Sequence, residues 1–131
     1  MNCLIVEDDA CLAYALSCCL EDCGNECQVS GSVQEALACL KTRKFDLLVL
    51  DYALPDGSVL PVSEYAALFC PDVRIILLTG HAVFAHGEHA TMAPGIDWVM
   101  RKPVPFDDLR ALVEYARLDV CRNALNEPAC T

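Results

Sequence analysis

The sequence predicts one α/β domain in which five parallel strands form a sheet with helices on both faces. Short apolar runs alternate with longer segments whose apolar residues recur every three or four positions, as strands and amphipathic helices do. Two of the runs, 45–50 and 73–78, are rich in consecutive apolar residues, which is typical of parallel strands covered on both faces. With 131 residues and 55% hydrophobic content, the chain suits a single doubly wound domain of three layers.

Turn and capping residues mark the first two strand and helix units. Residues 4–6 predict the first strand, and Gly24 stands where the following helix is expected to end. A short strand is expected at 26–30, after which Ser32 and Glu35 form the pattern of a capping box that opens the second helix. The apolar positions are Leu12, Leu16, Cys19, Leu20 and Cys23 in the first helix and Ala36, Leu37 and Leu40 in the second.

The second half of the chain continues the alternation. After the third strand a helix is expected with Ser58 as its cap and Pro61 in its first turn. The fourth strand leads to a short helix within 81–94, the fifth strand is expected at 96–100, and the last helix at 106 to about 123. The apolar positions are Leu60, Tyr65, Leu68 and Phe69 in the third helix and Leu109, Leu112, Val113, Ala116 and Val120 in the last.

Polar residues follow four of the apolar runs. The four stretches are Val6-Glu7-Asp8-Asp9, Leu50-Asp51, Leu78-Thr79 and Arg101-Lys102. Because the carboxyl ends of parallel strands meet at one edge of a sheet, these side chains are expected to line one crevice. Crowded carboxylates at 7, 8 and 51 repel one another, and a divalent cation offsets this, with Mg²⁺ the usual occupant beside a phosphoryl group. The pattern therefore predicts phosphoryl-transfer chemistry.

The residue types suit that chemistry. A carboxylate such as Asp51 is a poor nucleophile toward an anionic phosphodonor until Mg²⁺ and Lys102 neutralise the charge between them. Lysine supplies a point charge on a flexible stem that can follow the phosphoryl group. Taken alone, Thr79 would be a turn residue and Lys102 a surface charge, but their joint occurrence favours a site. Asp9 is more simply explained as an acid at the start of a helix.

Charge and hydropathy limit the setting. A net charge of −10 argues against direct nucleic-acid binding, which relies on cations at phosphates. No apolar run reaches the roughly 18 residues of a membrane span. The first residues, Met1-Asn2-Cys3-Leu4, lack the basic stretch and long apolar region of a secretory signal. A cytoplasmic protein without membrane contacts is expected.

The ten cysteines allow two interpretations. A metal or redox module would need closely spaced pairs, but there is no C-x-x-C, and His86 and His89 stand apart from any cysteine pair. In a cytosolic protein with a full aliphatic core, cysteine more often serves as a small buried hydrophobe. We favour the second interpretation.

Taken together, the motifs resemble those of receiver domains of two-component response regulators. The likeness rests on V-E-D-D after the first strand, L-D-x-x-L-P-D-G after the third, a threonine after the fourth and K-P after the fifth, and covers about residues 2–120. It implies a flavodoxin-like three-layer sandwich, as in chemotaxis regulators, with strand order 2-1-3-4-5. It also divides the chain into a receiver domain, 1–122, and a tail or linker, 123–131.

The resemblance assigns the acids to a phosphoacceptor and a metal site. Asp51 corresponds to the phosphoacceptor aspartate, which also contacts the metal. Asp8 corresponds to the direct Mg²⁺ ligand, and Glu7 to an acid that reaches the metal through water. The backbone carbonyl of Ala53 corresponds to a further ligand.

The resemblance also assigns the groups around the phosphoryl group. Thr79 corresponds to a hydroxyl that hydrogen-bonds it, and Lys102 to the ammonium that pairs with it. Pro103 follows the lysine where the family commonly has a cis peptide bond. Many receivers carry Tyr or Phe three residues before the lysine, where this chain has Val99. Trp98 points to the opposite face of the strand and cannot replace that ring.

The favoured function is a phosphorylation-dependent signalling switch. The resemblance implies Mg²⁺-dependent phosphorylation of Asp51 by a histidine kinase or histidine phosphotransfer protein, and then a changed partner surface around 81–94. Beyond its own phosphorylation and dephosphorylation, no reaction on a separate substrate is expected. The output would pass to a downstream protein or to a C-terminal effector domain, for which 123–131 is too short, so the chain is either a stand-alone receiver or part of a longer regulator.

Three other classes of function remain as alternatives. One is a divergent receiver that acts as a protein-interaction module without phosphorylation. Another is a phosphohydrolase with an aspartyl nucleophile, although such enzymes typically place a second acid where Ala53 stands. The third is a thiol or metal module, which the cysteine spacing disfavours.

Overall fold

The computed structural model describes residues 1–80 and 95–126, which form one five-stranded sheet with helices on both faces. The strands are β1 (Asn2–Val6), β2 (Glu26–Ser30), β3 (Leu47–Asp51), β4 (Arg74–Thr79) and β5 (Trp98–Arg101). The helices are α1 (Ala10–Asp22), α2 (Val33–Thr42), α3 (Leu60–Phe69) and α4 (Phe106–Asn126). A small antiparallel hairpin that pairs Ala53–Leu54 with Gly57–Ser58 follows β3.

All neighbouring strands of the main sheet are parallel, and their order is β2-β1-β3-β4-β5. This confirms both the doubly wound fold and the expected strand order. Since β1 and β3 are interior strands, the segments that follow them emerge side by side at the carboxyl edge of the sheet.

Two hydrophobic cores lie on opposite faces of the sheet. Leu48 and Leu50 of β3 pack with α2 and α3, whereas Leu47 and Val49 pack with α1 and α4. All four side chains are fully buried, which explains why this strand lacks polar alternation. A leucine or valine buried in this way stabilises the fold by about 1.5–3 kcal/mol.

The predicted end of α1 and the predicted start of α2 are confirmed. Gly24 has a φ of 88° and donates to the carbonyl of Glu21, while the next N–H donates to that of Leu20, so the helix ends in a Schellman motif. At the start of α2 the Ser32 hydroxyl accepts from the N–H of Glu35. The Glu35 carboxylate returns to the N–H of Gly31, one residue earlier than a standard capping box has it.

The prediction for α3 was wrong in two respects. Val59, not Ser58, is the N-cap, because Ser58 belongs to the hairpin, although its hydroxyl accepts the Leu60 N–H at 3.1 Å. Leu68 and Phe69 are 75% and 67% exposed. The buried face consists of Val62, Ser63 and Ala66, since the sheet selects the i and i+4 positions and not the bulkiest side chains. Pro61 does lie in the first turn.

The last strand and the last helix do not have the bounds that the sequence predicted. The fifth strand begins at Trp98 and ends at Arg101, later than the expected 96–100, and α4 continues to Asn126. Trp98 packs toward α1 and α4, and Val99 toward the opposite core, as strand alternation requires. The helix predicted within 81–94 lies outside the described residues.

Candidate functional site

The strand register brings the predicted residues to one edge of the sheet. Val6 of β1 pairs with Leu50 of β3, so Glu7 and Asp51 follow neighbouring strand positions. Asp51 in turn pairs with Leu78, the residue before Thr79. Glu7 and Asp51 are therefore adjacent in space although they are 44 positions apart in the chain.

Lys102 bridges the two buried acids. Its Nζ lies 3.1 Å from Oε2 of Glu7 and 3.1 Å from Oδ1 of Asp51. The Glu7 and Asp51 side chains are 1% and 9% exposed, whereas Lys102 is 28% exposed. One ammonium thus compensates two carboxylates that water reaches poorly, which leaves a net negative charge at the site.

Burial and neighbouring charges shift the pKa values of Glu7 and Lys102. Burial raises the pKa of Glu7 and nearby Asp51 adds to the rise, while the Asp9 N–H and Lys102 oppose it. For Lys102, burial acts to lower the pKa, but the hydrogen bonds to Glu7 and Asp51 outweigh it and the net pKa is raised. The lysine therefore stays cationic beside the two acids.

Asp8 completes a group of three carboxylates. One oxygen each from Glu7, Asp8 and Asp51 lies within 4.8 Å of the other two, and Asp8 alone of the three is exposed. Ligands on a Mg²⁺ ion sit about 2.0–2.1 Å from the metal, so oxygens on opposite sides of it are about 4 Å apart. The donor set is all oxygen, it is anionic and one of its members faces solvent, which fits a cation that keeps several waters.

Asp9 belongs to the helix and not to this acidic group. Its carboxylate accepts from the N–H groups of Cys11 and Leu12 at 2.9 and 3.2 Å, as the N-cap of α1. Its own N–H donates to Oε1 of Glu7 at 3.1 Å. The cap therefore fixes the turn that presents Glu7 and Asp8, and the prediction for Asp9 is confirmed.

Thr79 ends β4 beside the acids. Its side chain is buried, and its carbonyl accepts the N–H of Lys102 at 2.8 Å, which ties the ends of β4 and β5 together. The Lys102–Pro103 peptide bond is cis, as the resemblance implied. Ala53 lies two residues after Asp51 in the first strand of the hairpin. His81, two residues after Thr79, lies outside the described residues.

The sequence did not predict the part played by Asp56. Its carboxylate oxygens accept from the N–H groups of Val33 and Gln34 at 2.9 and 3.2 Å, at the start of α2. The Val33 N–H in particular lowers the pKa of Asp56, although burial acts in the opposite direction. Because the partners are 23 and 22 residues away in the chain, no local pattern distinguishes Asp56 from an ordinary turn aspartate.

Comparison with known proteins agrees with the fold and with the acidic edge. The model of the response regulator receiver domain matches residues 3–114, and the chain belongs to this family. Receiver domains are the phosphorylated modules of two-component signalling, generally bind Mg²⁺, and work with histidine kinases and effector domains.

Two relatives of this chain are longer regulatory proteins. The acid tolerance regulatory protein ActR of Rhizobium meliloti is 35% identical over 108 residues, which are 82% of this chain and 55% of ActR. The alginate biosynthesis transcriptional regulatory protein AlgB of Pseudomonas aeruginosa is 30% identical over 107 residues, or 24% of its length. The chain thus spans about half or less of these relatives.

A similar fold occurs in solved structures. The signal receiver domain of a putative Luxo repressor protein from Vibrio parahaemolyticus has a TM-score of 0.85 and 23% identity, with 97% of each chain covered. Response regulator protein TrrA from Thermotoga maritima, solved in complex with Mg²⁺-BeF, has a TM-score of 0.76 and 27% identity over 88% of this chain and 97% of its own. In the part of our chain that the structure describes, no helix has the length and apolar character needed to span a bilayer.

Proposed function

We propose that the domain is a Mg²⁺-dependent switch that receives a phosphoryl group on Asp51 from a histidine kinase or a histidine phosphotransfer protein. The observation that carries the proposal is the position of Lys102, whose Nζ contacts Asp51 at 3.1 Å beside the carboxylates of Glu7 and Asp8. A nucleophile, a cation and a divalent-metal donor set at one edge are the components of aspartyl phosphorylation.

The carboxylates of Asp8 and Asp51 would hold the metal directly, Glu7 would reach it through water, and the Ala53 carbonyl would complete the protein ligands. When bound, Mg²⁺ supplies charge neutralisation and orientation for an anionic phosphoryl group. The exposed position of Asp8 favours exchange of the ion with solvent. The Asp9 carboxylate caps α1, which supports the assignment of the metal ligands to its neighbours.

The remaining residues act on the phosphoryl group. An oxygen of Asp51 attacks the phosphorus as the bond from phosphorus to the donor imidazole nitrogen breaks, so the group passes from nitrogen to oxygen. Lys102 pairs with a phosphoryl oxygen and keeps its charge because its pKa is raised. The Thr79 hydroxyl, at the end of the neighbouring strand, donates to another phosphoryl oxygen. Its movement toward that oxygen shifts the chain that follows β4.

In this proposal the domain catalyses its own phosphorylation and dephosphorylation, and the output goes to a downstream protein or an effector domain. ActR and AlgB are longer than the matched region, which supports the effector arrangement. The acidic net charge makes direct binding to nucleic acid by this domain unfavourable. A cytoplasmic site of action follows from the proposed kinase partnership.

The alternative is a receiver that binds its partner without phosphorylation. Such a protein has no need to keep the acidic group, and the lysine contact to Asp51 counts against it. A phosphohydrolase is less well supported, because Ala53 stands where that class carries its second acid.

Intact-mass measurement after incubation with acetyl phosphate separates the proposed switch from a receiver that is not phosphorylated. Wild type is expected to gain one phosphoryl group with Mg²⁺ and none with excess EDTA, and Asp51→Asn is expected to gain none. Asp72→Asn is the matched control, since Asp72 is an exposed acid that precedes β4 at the opposite edge of the sheet. Equal labelling of wild type and Asp51→Asn would contradict the assignment, as would labelling that is insensitive to EDTA.

A further inference from the structure

Cys3 and Cys27 form a pair of thiols at a distance from the phosphoryl site. Cys3 of β1 and Cys27 of β2 are direct register partners on neighbouring parallel strands. Both side chains face the core beneath α1 and α4. Neither residue belongs to a C-x-x-C pattern, so the sheet and not the local sequence creates the pair.

The strand spacing suits a disulfide. Neighbouring strands are about 4.8 Å apart in the hydrogen-bonding direction. Disulfide-linked residues usually have Cα atoms about 4.4–6.8 Å apart. Because Cys3 and Cys27 stand directly opposite each other and point to the same side, no shift of register is needed to bring their sulfur atoms together.

The two thiols have unequal environments. Cys3 is fully buried in an interior strand, whereas Cys27 lies on an edge strand and is partly exposed. The neighbouring Cys3 thiol lowers the pKa of Cys27 against the effects of burial and of Glu21. The same contact, followed by burial, raises the pKa of Cys3. Because Cys27 is the member of the pair that solvent reaches, it is the thiol that a dissolved oxidant meets first, and Cys3 lies behind it as the second thiol.

The surroundings do not indicate a metal centre at the pair. Within the described ranges 1–80 and 95–126, the group of three or more metal-ligating side chains is Glu7, Asp8 and Asp51. Another β2 contact, that of Cys39 with the Gln28 amide at 3.1 Å, involves the opposite face of the strand. Cys3 and Cys27 are thus a two-thiol unit with one accessible member.

We propose that Cys27 and Cys3 are a redox-sensitive dithiol, in which Cys27 reacts with hydrogen peroxide and Cys3 resolves the product. The Cys27 thiolate attacks one peroxide oxygen, the O–O bond breaks and hydroxide leaves to be protonated to water, which gives a sulfenic acid at Cys27. The Cys3 sulfur then attacks the Cys27 sulfur, the S–O bond breaks, and the hydroxyl leaves as water with the Cys3 proton. Two thiols lose two electrons, and one peroxide becomes two waters.

A peptide map of the whole chain tests this directly. The folded protein is exposed to hydrogen peroxide, its free thiols are blocked with N-ethylmaleimide in acid, and it is digested with a glutamate-specific protease. Cleavage after Glu7, Glu26 and Glu35 places each sulfur in a peptide with a single cysteine, 1–7 for Cys3 and 27–35 for Cys27. The expected product is the two peptides joined, lighter by two hydrogens than their sum.

Variants identify the order of the steps. In Cys3→Ala the sulfenic acid has no resolving thiol, so dimedone is expected to label 27–35. Cys39→Ala is the matched control and should still yield the 1–7 and 27–35 product. Absence of that product in wild type would overturn the proposal, and so would dimedone labelling of Cys3→Ala that spares 27–35. Should Cys3→Ala fail to fold, the wild-type and Cys39→Ala maps decide the question alone.

Discussion

Lys102 lies between two carboxylates that would repel each other without it. Glu7 and Asp51 are buried on adjacent strands, and Lys102 is the cation within hydrogen-bond distance of both among residues 1–80 and 95–126. In the proposed reaction the same ammonium turns to a phosphoryl oxygen. The positive charge that stabilises the phosphorylated product is therefore in place beside Asp51 before the reaction. The energetic role of Lys102 can therefore be measured before any phosphorylation.

Replacing Lys102 with methionine is expected to lower the free energy of unfolding in EDTA by about 1–3 kcal/mol, because two buried carboxylates lose their charged partner. Added Mg²⁺ should recover part of this loss by neutralising the same acids. Urea unfolding with and without Mg²⁺ measures both effects. Lys41→Met, at an exposed lysine of α2, is the control and should change little. Unchanged stability of Lys102→Met would show that the bridge does not form in solution.

Asp8 and Asp9 of the V-E-D-D motif have different roles, and measurement of Mg²⁺ binding distinguishes them. Asp8→Asn should weaken Mg²⁺ binding by about tenfold or more, whereas Asp9→Asn should weaken it less, because Asp9 is occupied as the cap of α1. Titration calorimetry of each variant gives the ranking. The opposite ranking would mean that the metal ligands are shifted by one residue along this turn.

At the scale of elements, the hairpin after β3 is tied to the start of α2. Asp56 accepts two N–H groups of that helix, and the hairpin also contains Ala53, a proposed metal ligand. Local patterns predicted most helix ends correctly, because caps such as Ser32 act within a few residues. Local patterns did not predict the contact of Asp56 with α2 or the buried face of α3, because both depend on which elements the sheet brings together.

The Asp56 cap should make the difference between wild type and Asp56→Ala depend on pH. The folded-state pKa of Asp56 lies below its ordinary value of 3.8, so its contribution is present above that value and is lost as pH falls through the lowered folded-state pKa. Wild type is therefore expected to be the more stable protein at neutral pH, with the difference shrinking as the solution is acidified below pH 3.8. Urea unfolding across this range is the measurement. A difference that grows on acidification would rule out an ionised cap.

The fifth strand bears on how phosphorylation reaches the surface. Val99 points to the core beneath α2 and α3 and is too small for the large ring movement of many receivers. Conformational coupling then has to come from Thr79 and the chain that follows it. We expect hydrogen exchange in 81–94 to change when a beryllofluoride mimic and Mg²⁺ are added. Changes restricted to segments far from 81–94 would contradict this route.

At the scale of the whole molecule, the alternation of apolar runs and helical segments predicted the doubly wound class, and the resemblance to receiver domains supplied the strand order. Four of the five strands are followed by acids, a threonine or a lysine, and parallel pairing places those strand ends together. Side-chain contacts between distant segments could not be predicted, because their partners are chosen by packing. The Cys3–Cys27 pair is one such contact: it breaks no local rule and leaves no spacing signal, yet the register of β1 and β2 requires it.

Chemical localisation of the phosphoryl group is the most direct measurement of whether Asp51 carries it. Protein treated with acetyl phosphate and Mg²⁺ is reduced with borohydride, which converts an aspartyl phosphate to homoserine, and the product is sequenced by mass spectrometry. Homoserine is expected at position 51, and unmodified aspartate at positions 8, 9 and 56. Homoserine at one of those three positions, with Asp51 intact, would contradict the proposal.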